Sequence, residues 1–129
     1  MTVTELFDQH VSQVLSSGTS FGQIKYLALG SGTGQAASDI DVANYITDSI
    51  IALSGTGSPT AGTGASDNDV IYSSYWAAGE GTGSITEAAV FRISGTTRNT
   101  MMLYTDAISV QKGASDTLKI DWTLTAGSS

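Results

Sequence analysis

The chain has no cysteine, one proline and one histidine in 129 residues, and only five lysines and arginines against twelve aspartates and glutamates. Each scarcity removes a class of explanation. Without cysteine there is no disulfide framework, no thiolate zinc site and no thiol nucleophile. The five cations, Lys25, Arg92, Arg98, Lys112 and Lys119, are scattered, and the net charge is −7. No basic stripe exists to neutralise phosphates, so a nucleic-acid partner is not expected. No apolar run approaches the roughly 20 residues that a membrane-spanning helix needs. The start, MTVTELFDQH, is acidic and has neither a basic nor an apolar leader region, so no signal peptide is expected. With His10 alone, a Ser-His-Asp triad has one candidate base, and it falls on the first predicted helix.

What the chain has instead is glycine, serine and threonine: 15, 18 and 17 residues respectively. These turn-prone residues, together with β-branched residues spread throughout, favour strands joined by many turns over a helical bundle. The length suits one domain with a real core, residues 1–129. Charged residues make up only 13% of the chain, which leaves little repulsive surface and points towards assembly.

The amino end reads as the one helix, over 1–18. Thr2-x-x-Glu5 has the form of a capping box, Leu6, Phe7, Val11, Val14 and Leu15 recur at helical spacing, and Ser16-Ser17-Gly18 ends the run. Its apolar face is expected to dock outside the β core or against a neighbouring subunit. From residue 23 the period becomes two. In DTLKIDWTLT, Leu118, Ile120, Trp122 and Leu124 face one way while Thr117, Lys119, Asp121 and Thr123 face the other. One wet face and one dry face belong to an antiparallel sheet. Similar segments cover 70–76, 85–93 and 101–108, and 40–53 reads as a short helical turn followed by a strand. The expected fold is mainly β: an antiparallel sandwich over 23–126, immunoglobulin-like or jelly-roll-like, with one N-terminal helix. The stretch SGTGSPTAGTGASDND, 54–69, reads as an exposed loop or partner-contacting arm.

Several patterns invite chemistry. Gly32-Thr33-Gly34-Gln35-Ala36-Ala37 fits the G-x-G-x-x-G/A turn of dinucleotide-binding folds, and Asp48 follows 16 residues after Gly32. That turn needs a following helix and a repeated βαβ scaffold, which the antiparallel pattern after residue 69 does not provide. Gly79, Gly81 and Gly83 read as a strand connection using positive φ. Asp39 and Asp41, and Asp67 and Asp69, lack the further oxygen ligands of a calcium loop and read as turn or cap residues. Glu80 and Glu87 are a formal glycosidase pair, although Glu87 reads more simply as balancing Arg92 or Lys119 on a sheet face. Tyr72, Tyr75 and Trp76 are candidates for a sugar-stacking platform, whereas Trp122 is in phase with the buried face. No catalytic, cofactor or metal residue is assigned.

Three segments occur in order: KYLALGSGTGQAASD, AAGEGTGSITEAAVF and VQKGASDTLKIDWTLT. In this the chain resembles a family of small tailed-bacteriophage virion proteins, labelled tail-fibre-like, whose related β-domains include capsid decoration proteins. It departs from the family pattern at Ala89, where glycine is usual, and in the 54–69 insertion. The resemblance implies a virion location and a structural role without catalysis. That role is a cement protein stabilising the head shell by contacts with the major capsid protein, or alternatively a tail-fibre or baseplate part contacting tail proteins. It also implies a homo-oligomer, with a trimer preferred, and a structural motif in which Gly30, Gly32 and Gly34 shape a turn while Glu87 and Trp122 mark strands.

Overall fold

The computed structural model describes residues 1–17, 24–53, 60–61, 69–92 and 98–125. After β1 (Thr2–Val3), helix α1 (Glu5–Ser17) is followed by β2 (Tyr26–Gly30), β3 (Ile51–Ala52), β4 (Thr60–Ala61) and β5 (Asp69–Trp76). The remaining strands are β6 (Gly83–Ile85), β7 (Glu87–Phe91), β8 (Met101–Thr105), β9 (Val110–Lys112) and β10 (Leu118–Thr125). Every strand pairing among the described residues is antiparallel. One sheet has the order β1-β8-β7-β2-β3, a second β10-β5-β4, and β6 and β9 form a separate ribbon. The fold is therefore mainly β with one short helix, as the two-residue period predicts. The strand order does not by itself assign an immunoglobulin or jelly-roll topology.

The two larger sheets share a core. Leu27, Leu29, Ala88, Val90 and Leu103 from the first meet Tyr72, Trp76 and Trp122 from the second, and Ile85 joins them. In β10 the expected alternation holds: Lys119, Asp121 and Thr123 are exposed while Trp122 is buried. The first sheet behaves differently. β7 is buried along its whole length, and β2 nearly so. The second face of β2, β7 and the likewise buried β8, carrying Ala28, Ala89, Phe91, Met101 and Tyr104, packs under Val42, Tyr45 and Ile50 from the segment that follows β2. A third layer thus replaces solvent on that side, and β2 and β7 read as almost continuously apolar.

Three local expectations change. Thr4, not Thr2, caps the helix: its hydroxyl accepts the Phe7 N–H at 3.3 Å and lies 2.7 and 3.0 Å from the Met101 and Met102 carbonyls. Thr2 is taken up by β1, which pairs with β8. The predicted 85–93 strand is divided at Thr86 into β6 and β7, and the helical turn in 40–53 is replaced by bends ahead of the two-residue β3. The helix also docks closer than expected, since Leu6 and Phe7 pack on the main core. Only its later part matches the outward-facing expectation, with Val11 and Leu15 exposed. Val14's side chain, most of the 54–69 loop and the Asp67-Asn68 pair lie outside the described residues.

Ser49 joins these layers. Its hydroxyl accepts the Leu29 N–H and donates to the Leu29 carbonyl, both at 3.0 Å, where β3 is too short to supply a strand partner. Its own carbonyl accepts the Trp76 indole N–H at 2.7 Å. Ser49 is completely buried. Ser49→Ala therefore leaves the Leu29 amide without its side-chain partner, and a loss of about 1–3 kcal/mol is expected. Urea unfolding monitored by tryptophan fluorescence measures it; an unchanged midpoint would show that the hydroxyl is dispensable.

Candidate functional site

The glycine-rich bend after β2 is the strongest chemical signal in the sequence, and it is an anion receptor filled from within. Gly30 is the cross-strand neighbour of Glu87. Glu87 shares the β7 face of Ala89 and Phe91, so strand parity aims its side chain under the 31–50 layer. There its carboxylate accepts four hydrogen bonds. Oε2 receives the Gly32 and Asn44 N–H groups, each at 2.8 Å. Oε1 receives the Ala43 N–H at 2.8 Å and the Tyr104 hydroxyl at 2.9 Å. Glu87 is 0% exposed.

The glycines are required by this geometry. A Cβ at Gly30 would collide with the Glu87 carboxylate, and one at Gly32 would lie 2.6 Å from the Ala43 Cβ and 2.9 Å from Glu87 Oε2. Thr86 reinforces the bend: its N–H donates to the Gly30 carbonyl at 3.0 Å and its hydroxyl to the Gly32 carbonyl at 2.7 Å. The backbone donors that a dinucleotide turn would aim at a pyrophosphate are aimed at a side chain of the same chain. No helix follows the bend. Asp48, the nominal ribose ligand, is an exposed turn residue with φ 60°.

Glu87 does not balance Arg92 or Lys119 on an open sheet face; the 31–50 layer covers that face, and Lys119 instead lies 3.6 Å from Asp121. As one half of a glycosidase pair Glu87 is inaccessible, because both oxygens face the protein's own donors. The Tyr104 hydroxyl is held above the ordinary tyrosine range, first by burial and then by its hydrogen bond to, and the charge of, Glu87. Burial also raises Tyr72.

The other candidates separate. Trp76 is 0% exposed and Tyr72 is buried, so of the three platform aromatics only Tyr75 faces solvent. Trp122 packs in the core as its phase predicts, and its indole N–H points at the Met1 sulfur, 2.8 Å away. Asp39 closes a turn: its carboxylate accepts the Ala36 N–H at 2.6 Å while its own N–H donates to the Ala36 carbonyl at 3.0 Å. Asp116 repeats this geometry on Gly113, at 2.7 and 3.1 Å. Both turns end in Ala-Ser-Asp. Asp41 bridges to Arg98 at 3.3 Å, and that guanidinium stacks 3.6 Å above the Tyr45 ring. Gly79 and Gly81, between β5 and β6, and Gly83, the first residue of β6, all adopt positive φ, as expected. His10 lies on α1 and Glu80 in the β5–β6 turn. Among the described residues no group of three or more histidine, aspartate or glutamate side chains could hold a metal ion.

Sequence reasoning missed Ser49, Thr4 and Lys112 as organising residues. Lys112 is buried and donates from Nζ to the Ala77 carbonyl at 3.0 Å, tying the β6–β9 ribbon to the end of β5. An outward apolar surface was equally hidden: Met1, Ile108, Val110, Leu118, Ile120 and Trp122 line an open groove of about 510 Å³ beside β10.

Glu87→Gln replaces one acceptor oxygen by a donor among donors. A loss of about 1–3 kcal/mol is expected in chemical denaturation, and wild-type stability would contradict the receptor described here. Alkaline pH supplies a second test. The folded Tyr104 value lies above the ordinary 10.0. Its contribution is therefore fully present below that pH and is lost as pH rises towards the folded value. The denaturation midpoint should fall above pH ~10, and fall less steeply in Tyr104→Phe. Equal slopes would remove Tyr104 as the cause.

No family model matches the chain, and no curated protein matches it.

Proposed function

We propose that the chain is a structural component of a tailed-bacteriophage virion, acting as a decoration or cement protein that stabilises the head shell through contacts with the major capsid protein and with copies of itself. In this reading it is not an enzyme and works in the assembled particle. The observation that carries the proposal is how the three family-like segments are spent. The glycine bend holds Glu87, the ITEAAVF segment supplies Glu87 and two-sided core packing, and the last segment supplies Lys112, the Asp116 turn and β10. The charged groups that these segments bury, Glu87 and Lys112, are committed to partners inside the fold.

The outer surface offers apolar contact instead. Leu15 is 81% exposed, Met1 61% and Tyr75 53%, with Val11, Ile40 and Val110 also open. Such residues suit area burial between proteins, which drives association at about 25 cal/mol per Å² before ordering costs are subtracted. The tail-fibre or baseplate alternative uses the same surface chemistry on tail proteins.

Quantitative mass spectrometry of purified particles tests the proposal. A decoration protein is present in many copies at a fixed ratio to the major shell protein and stays with heads when tails are detached. A few copies that follow the tails would move the chain to the fibre or baseplate, and its absence from particles would refute a virion role.

A further inference from the structure

The edges of the two larger sheets are unequal. β1, β3 and β4 are two residues long, whereas β10 presents eight residues and pairs only with β5. Among the described residues nothing pairs with its outer side. Short edge strands are poor templates for pairing, while a long unprotected one is a ready site for strand addition. The groove beside β10 runs along successive residues 118–123 and is bounded by Ile108, Val110 and Met1. It therefore follows the backbone edge, where an added strand would lie about 4.8 Å away.

We propose that this edge pairs with β10 of a second copy, antiparallel about a two-fold axis centred on Ile120. The occupant follows from the strand's own sequence, LKIDW, in which Lys and Asp flank the central residue symmetrically. Residues opposite one another in an antiparallel pair share a face. A symmetric pairing that keeps Leu118, Ile120 and Trp122 inward must centre on a single residue. Centring on Lys119 sets lysine against lysine, and centring on Asp121 sets aspartate against aspartate. Centring on Trp122 places both charged residues opposite threonines. Only the Ile120 register puts each Lys119 opposite Asp121 of the second copy, and each Leu118 opposite Trp122 of the second copy. The inward row of the added strand then covers the groove's apolar wall at Ile108 and Val110. Lys119 and Asp121, now paired within one strand, are both more than half exposed; Asp121 Oδ1 accepts the Ser73 hydroxyl, and the exchange engages Oδ2.

The inference deepens the proposed self-association but does not depend on the virion location, which particle composition tests separately. It gives a two-fold pair where the resemblance implies a trimer.

Sedimentation of the full-length chain tests it. The wild type is expected to dimerise reversibly. Lys119→Asp and Asp121→Lys should each raise the dissociation constant roughly tenfold or more, because like charges then face each other. The doubly exchanged chain, carrying both substitutions, should dimerise like the wild type. A mixture of the two single variants should form a heterodimer, since one supplies two aspartates and the other two lysines. Circular dichroism confirms that each variant is folded. A monomeric wild type, dimers indifferent to either single substitution, a doubly exchanged chain that stays monomeric, or a mixture that forms no heterodimer would each overturn the proposal. So would a monomeric chain whose β10 edge is protected only on adding another virion protein.

Discussion

A single buried carboxylate determines how this protein is layered. Among the described residues no ion pair involves Glu87; three backbone N–H groups and one phenol satisfy it. Those amides belong to Gly32, Ala43 and Asn44, which lie on both arms of the segment after β2. Holding both arms to one anchor folds that segment over the first sheet, which buries the Ala28, Ala89 and Tyr104 face. A buried charge without hydrogen bonds would be strongly unfavourable. Here the same bonds that solvate the charge also satisfy backbone donors in a stretch that has almost no strand partners, so two problems of polar burial are solved together.

The resulting arrangement resembles a phosphate site in its ingredients and differs in its use. Both need glycines, because a backbone can approach an oxyanion closely only where no Cβ intervenes. In a nucleotide fold the anion is a ligand; here it is Glu87, placed by a direct cross-strand pairing with Gly30. A receptor that is filled during folding contributes to stability rather than to binding. On the outside lie exposed apolar side chains and the groove beside β10.

Much of the architecture was legible in the sequence because alternation is a local signal. β5 and β10 follow from period-two patterns, the helix from its apolar spacing, and Gly79 to Gly83 from the need for positive φ. The two-sided burial of β2 and β7 was less accessible, because nothing in YLAL or EAAVF says what covers the second face. The same gap produced the misplacement of Glu87 on an open sheet face: its partners lie 43, 44 and 55 residues away in the chain. Thr4 and Ser49 were missed for a similar reason. Each satisfies backbone groups distant in sequence, on β8 and β2, and a lone threonine or serine in a chain with 35 of them carries no visible mark.

Glu87 fixes the bend and its return arm in place, and native-state hydrogen exchange by NMR reads this directly. The amides of Gly32, Ala43 and Asn44 should exchange slowly, at rates approaching those of the β2–β7 ladder, although they lie outside any long strand. Exchange at the fast rates of an ordinary surface loop, with the β2–β7 amides still protected, would mean that the carboxylate does not hold the segment and that the layered structure has another cause.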